Sequence, residues 1–186
     1  MNHKVGALLG KIQELETEVE QQIEGQRRRF RYSIEERRIR FEEAVLRRHR
    51  TLKVGLSRFI RQSGLLRIFV SPLIYIQIIP LLLLDIAVSL FQFIIFPVYD
   101  IEKVPRDDFI VVDRQHLAYL NLIEKLNCAF CGYANGLLAY CREIAGRAEA
   151  HFCPIKHARK AAGQHKRYFE FREYGDAEGY REIRPE

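Results

Sequence analysis

Hydrophobic and polar positions divide the chain into three regimes. From about Val5 to Ile60, apolar residues recur at Leu9, Ile12, Leu15 or Thr17, Val19 and Ile23, then at Phe30, Ile34, Phe41, Val45, Leu52, Leu56 and Phe59. Spacings of three and four mark one helical stripe, and no proline precedes Pro72. Gln26, Arg37 and Arg48 interrupt the stripe where a coiled coil would place apolar residues. The pattern therefore predicts an imperfect coiled coil or a helical hairpin, turning at Gly25 or at the arginine cluster that follows. Ser33 and Glu36 have capping-box spacing, which predicts a second helix from about Ile34.

The second regime is Ile68 to Tyr99, whose only ionisable side chains are Asp85 and tyrosine hydroxyls. As a helix, Leu73–Phe96 would be about 36 Å long, enough to cross a bilayer core of about 30 Å with some tilt. Its 17 Leu, Ile, Val and Phe residues favour insertion by about 7 kcal/mol, against about 3 for one central Asp. Pro72 and Pro97 bracket the segment, and Pro80 predicts a kink near Ile76–Pro80. The limb before Pro80 is too short for a second pass, so the anchor is single-pass or re-entrant. Asp85, Gln77 and Gln92, with Ser89, are its candidate helix contacts, because a polar group at membrane depth faces protein or a cavity rather than lipid.

The third regime is mixed. Phe109–Val112 predicts a short strand after a linker, and HLAYLNLIEKLN from His116 a helix. Gly136–Ala150 predicts another helix, and Pro154–Ala162 a third that starts on proline and ends before Gly163. The tail from Tyr168 predicts a loop or surface-hugging extension. The expected fold is mainly α, in four parts: a basic helical arm (1–66), a membrane anchor (67–99), a Cys/His helical module (100–167) and a polar tail (168–186).

Charge sharpens the topology. Residues 1–67 carry 16 Lys/Arg against 9 Asp/Glu, whereas residues 100–186 hold 14 of each, so the net +6 originates before the anchor. Lys53, Arg58, Arg61 and Arg67, set among Leu52, Val54, Leu56, Phe59 and Ile60, form an amphipathic basic segment suited to lipid headgroups. The positive-inside rule then puts the N-terminus in the cytoplasm. MNHKVGALLGKIQELE turns polar too early for a cleavable signal peptide. The arginines alternate with Glu35, Glu36, Glu42 and Glu43, which favours pairs within a helix over a nucleic-acid face.

The four cysteines fall as Cys128-x2-Cys131-x9-Cys141-x11-Cys153, with His157 four residues further on. Cys128-Ala-Phe-Cys131-Gly132-Tyr133 resembles the metal knuckle of rubredoxins and zinc ribbons. With Cys153 and His157 on one face of the expected third helix, it makes a C-x2-C-x21-C-x3-H set suited to tetrahedral zinc. The second knuckle that a rubredoxin iron site requires is missing, so iron or an iron–sulfur cluster fits less well. Two disulfides, inert buried thiols, and a redox-active Cys128–Cys131 pair are the alternatives. The run from Cys128 through Tyr133-Ala-Asn-Gly136 to Cys153-Pro-Ile-Lys-His157, after a proline-interrupted anchor, is similar to a family of bacterial membrane proteins without an assigned activity. That similarity spans about Pro72 to Gly179 and implies a location in the bacterial inner membrane.

No nucleophile motif, phosphate loop or H-E-x-x-H spacing appears. The sequence thus points to a non-enzymatic accessory or scaffold subunit. Its expected partners are the lipid bilayer, other membrane subunits and, through residues 5–60, further copies of itself. The rival is a membrane-tethered redox protein using the cysteines.

Overall fold

The computed structural model describes residues 3–29, 32–35, 38–41, 43–159 and 162–183, and the chain is mainly helical. It divides into two compact units, one of residues 1–64 with 113–126, the other of residues 65–112 with 127–186.

The first unit opens with α1 (His3–Arg29), so the helix does end in the arginine cluster. The second helix expected from Ile34 does not form there. Tyr32–Glu35 (β1) and Arg38–Phe41 (β2) are strands of an antiparallel hairpin, and Glu36 lies outside the described residues. The register sets Tyr32 opposite Phe41, Ile34 opposite Ile39 and Glu35 opposite Arg38. Apolar meets apolar and acid meets base, pairings that favour a sheet, and this period of two outweighs the capping-box spacing. Helices α2 (Glu43–Thr51) and α3 (Leu56–Ser63) follow, and Gly64 takes φ +77°, a conformation that favours glycine. The ring of His49 meets that of Tyr119 edge-on at 5.0 Å.

In the second unit the apolar segment forms α4 (Leu65–Ile76) and α5 (Ile78–Val98), with the helical ladder interrupted at Gln77. Pro80 falls in the first turn of α5, where its missing N–H leaves no intrahelical bond unmade. At the far end Asp100 takes φ +53° and the Ile101 N–H reaches back to the Phe96 carbonyl at 2.8 Å. This is a Schellman closure with aspartate in the glycine position.

One helix, α6 (Leu122–Phe152), replaces the two expected between His116 and Ala150. Its start is fixed by a capping box that sequence reading passed over. The Asn121 Oδ1 accepts from the Glu124 N–H at 3.1 Å, and Glu124 Oε2 accepts from the Asn121 N–H at 2.8 Å. Nothing between Asn127 and Gly136 breaks it, because apolar residues continue at helical spacing through Phe130, Tyr133, Leu137, Tyr140 and Ile144. It stops before Pro154, whose ring disfavours helical geometry at Cys153. The third helix is therefore absent from the described residues 154–159: Ile155 instead pairs in parallel with Arg172, with Lys156 N–H to Arg172 O at 2.8 Å. The tail contributes a 3₁₀ turn (Lys166–Glu170) and a short helix, α7 (Ala177–Ile183), and buries Tyr168 and Phe171.

Helices α5 and α6 run parallel. Tyr75 bonds Asn127, Asp85 bonds Tyr133, Gln92 bonds Tyr140, and Tyr99 packs edge-on against Phe152. The connection must return along their length, and residues 101–112 do so as an irregular strip with a 3₁₀ turn at Arg106–Asp108. Phe109–Val112, expected as a strand, joins no ladder. The strip lies against the helices, and the core is shared by all three: Phe96 from α5, Val104 from the strip, and Leu137, Tyr140 and Ile144 from α6.

Candidate functional site

The polar residues inside α5, Asp85, Ser89 and Gln92, turn inward. Leu81, Asp85, Val88, Gln92 and Phe96 recur at spacings of three and four and face the core, and Asp85 and Gln92 are each 7% exposed. On the opposite side Leu83, Ile86, Leu90, Phe93 and Ile94 are exposed. The segment is therefore apolar outside and polar inside, the reverse of a helix on the surface of a water-soluble domain.

Asp85 is saturated. Arg106 grips it with both terminal nitrogens, Nη1 on Oδ1 and Nη2 on Oδ2, the latter at 2.7 Å. The Tyr133 hydroxyl donates to Oδ2 at 2.7 Å and the Ser89 hydroxyl to Oδ1 at 3.3 Å. Four donors occupy the lone-pair positions of one carboxylate, which leaves no acceptor site for a relayed proton or an ion. Burial, and next the bond to Asp85, push the Tyr133 hydroxyl above the ordinary phenol range, so it stays a donor at neutral pH. The cluster is a neutral clasp.

One level along, Gln92 serves the backbone of the strip. Its Oε1 accepts from the Val104 N–H at 2.7 Å, while its Nε2 donates to the Val104 carbonyl at 3.3 Å and to the Tyr140 hydroxyl at 2.9 Å. A single side-chain amide thus replaces a neighbouring β-strand for a buried residue. Arg147 of α6 closes the next level, donating to the Glu102 carbonyl at 2.7 Å and to the Glu102 carboxylate at 3.0 Å. Small residues let the strip approach α6: the position a Cβ would occupy on Gly136 is 2.5 Å from the Phe109 carbonyl oxygen, and on Gly132 it is 3.1 Å from that of Val111.

Sequence reasoning named Asp85 and Gln92 but missed Arg106, Val104, Tyr133 and Tyr140. The partner helix is the chain's own α6. The available signal was Gly132-Tyr-Ala-Asn-Gly136, a small-xxx-small spacing that marks close approach. Gln77, the third expected contact, lies at the interruption between α4 and α5 and is exposed.

The expected metal ligands are not brought together. Cys128 and Cys131 lie inside α6 rather than in a knuckle, and Cys153 follows the end of the same helix. Twenty-five residues of helix separate Cys128 from Cys153 by about 37 Å. His157 lies beyond the helix, its ring stacked on Tyr168 at 5.9 Å and its backbone N–H donated to the Tyr168 hydroxyl at 2.6 Å. Among the described residues no three His, Cys, Asp or Glu side chains are grouped as metal ligands, and the four cysteines are free thiols. Burial, and next the Asp85 charge, push the Cys141 thiol up, which favours its protonated form. Of the expected headgroup-binding residues, Lys53, Arg58 and Arg61 are exposed, and Arg67 lies in α4 with its side chain outside the described set.

Residues 165–167, just before the tail, dock on the second half of α6. The His165 ring packs over Gly146, where a Cβ would come within 2.8 Å of it, and Nε2 meets Glu149 Oε2 at 2.9 Å. Glu143 accepts from Arg147 at 3.0 Å and from Arg167 at 2.6 Å. Burial alone would raise Glu143 and is the largest single influence, but the two arginines together hold it below the ordinary carboxylate range. A carboxylate whose folded-state pKa is depressed stabilises the fold above its unfolded value, and that contribution is lost as pH falls through the lower folded value. Exchange protection factors across residues 164–171, with the intrinsic pH dependence divided out, should therefore fall below about pH 4.5, and Glu143→Gln should abolish that fall. An unchanged acid profile in that variant would disprove the assignment.

No protein-family model, curated protein or solved structure gives a significant match to the chain.

Proposed function

We propose that the chain is a membrane-anchored, non-enzymatic accessory or scaffold protein, in which a kinked apolar helix is clasped to the chain's own α6 and lipid covers the rest. The observation that carries this is the inverted polarity of Phe69–Val98. Only 11% of its most apolar window is buried within the chain, whereas the core helix of a soluble protein is mostly buried. Leaving that face in water would expose a contiguous apolar surface far beyond what soluble monomers show. A bilayer removes it from water while Asp85 and Gln92 stay inside, satisfied. Lys53, Arg58 and Arg61 fit anionic headgroups on the cytoplasmic leaflet. The absence of a catalytic motif in the sequence and the saturation of Asp85 favour a structural over a chemical role for the clasp.

The test is membrane retention. The wild-type chain should stay in the pellet after alkaline carbonate extraction. Ile86→Arg combined with Phe93→Arg, at positions 58% and 68% exposed within the chain, should release it, since each arginine costs about 3 kcal/mol at membrane depth. Recovery of the wild type in the supernatant would overturn the proposal.

A further inference from the structure

The exposed stripe on α1 fits a second copy of this chain. Leu8, Ile12, Leu15, Val19 and Ile23 are all exposed, between 46% and 60%, along one side of a 27-residue helix. Val5, Ile12 and Val19 stand seven apart, as do Leu8 and Leu15. In heptad terms the first set fills the a positions and the second the d positions. Gly6, Gly10 and Gly25 fall at b, f and g, where no side chain is needed in the seam.

Residue types choose among the possible assemblies. β-branched Val and Ile at a with Leu at d favour two parallel strands, while Ile at both or Leu at a favours larger bundles. Charge agrees with the parallel choice. Lys11 falls at g and Glu16 at the following e, the positions that face each other between parallel chains in register. After Val19 the spacing of four to Ile23 replaces the expected three, a stutter that relaxes the supercoil. Gln22 and Gln26, both exposed, then stand where d and a residues would be, so the seam ends near the last α1 turn.

We infer that α1 pairs with α1 of a second copy as a short parallel coiled coil in register through Val5–Ile23. The inference stands on α1 alone and does not require the membrane assignment. In such a pair each a or d residue faces its own counterpart, so single cysteines there self-link. In an antiparallel pair a faces d, and at most one position near the centre self-links.

The experiment places cysteine singly at Ile12, Leu15, Val19 and, as an outward-facing control, Thr17 at f, in the full-length chain expressed in cells. Oxidation is followed by mass spectrometry of the linked α1 peptides, so the native cysteines can stay in place. Self-linking at 12, 15 and 19, at least tenfold over 17, is the expected result. Ile12→Asp in the Leu15→Cys chain should abolish the Leu15→Cys link, while Thr17→Asp should not. Equal linking at 17, linking at only one seam position, or a link indifferent to Ile12→Asp would each overturn the inference. Carbonate extraction of the same samples separates this outcome from failure of the membrane assignment.

Discussion

Arg106→Ala will destabilise the second unit by about 3 kcal/mol, the low end for removing one partner from a buried ion pair, because the guanidinium is half exposed. Asp85→Asn will cost less, about 1–3 kcal/mol. The asymmetry follows from where each charge sits. The Asp85 side chain is 10% exposed and that of Arg106 is 43% exposed. Without the guanidinium, the carboxylate keeps the Tyr133 and Ser89 donors but stays ionised in apolar surroundings, or must take up a proton. Without the carboxylate, the guanidinium turns to solvent, and the Asn carbonyl still accepts from one of the two hydroxyls. Replacing both, as Asp85→Leu with Arg106→Leu, removes the uncompensated charge and should recover most of the loss of the arginine variant. Chemical unfolding in detergent micelles, followed by circular dichroism, gives the three values, and the single Asp85→Leu and Arg106→Leu variants complete the cycle that yields the coupling. Equal costs for Arg106→Ala and Asp85→Asn, or additivity of the two leucine substitutions, would show that the clasp does not hold this unit.

The elements legible in the sequence were those governed by a local period. The apolar run and the helical stripe of α1 could be read from spacing, and the end of α1 in the arginine cluster was one of the two alternatives that spacing offered. The hairpin at Tyr32–Phe41 was missed because two four-residue strands show period two only once their register is known. The helix boundaries after His116 were misplaced because the Asn121–Glu124 box competes with an equally periodic stretch before it. Cys153 and His157 do not share a helix face, because Pro154 ends a helix here rather than starting one. The clasp itself was half legible. A carboxylate in an apolar helix announces that it needs partners, but Arg106 and Tyr133 lie 21 and 48 residues away in sequence. Only the parallel return of α6 brings them to its level, and chain reversals of that kind leave no periodic trace.

Gly136→Ala should destabilise this unit by about 1–3 kcal/mol, the range for overpacking, although alanine is the better helix former by about 1 kcal/mol. The new methyl would sit 2.5 Å from the Phe109 carbonyl oxygen and 2.8 Å from the Ile110 Cα. Both are backbone atoms, so no flexible side chain can yield; the strip itself must move away from α6. Phe109 is three residues from Arg106, and its N–H bonds the Arg106 carbonyl at 3.1 Å, so displacement there also loosens the clasp. Gly132→Ala is the internal control. Its methyl would meet the Val111 carbonyl oxygen at 3.1 Å, a few tenths of an ångström too close, and helix propensity should offset most of that cost, leaving the net change within about 1 kcal/mol. The sharper test repeats Gly136→Ala in an Arg106→Ala background. If the strip has already detached from α6, the methyl meets nothing, and the propensity gain should make the second substitution neutral or stabilising. A Gly136→Ala penalty as large in that background as in the wild type would mean that the strip stays seated without its arginine. The close approach to glycine, rather than the ion pair, would then be what holds the apolar helix to the chain.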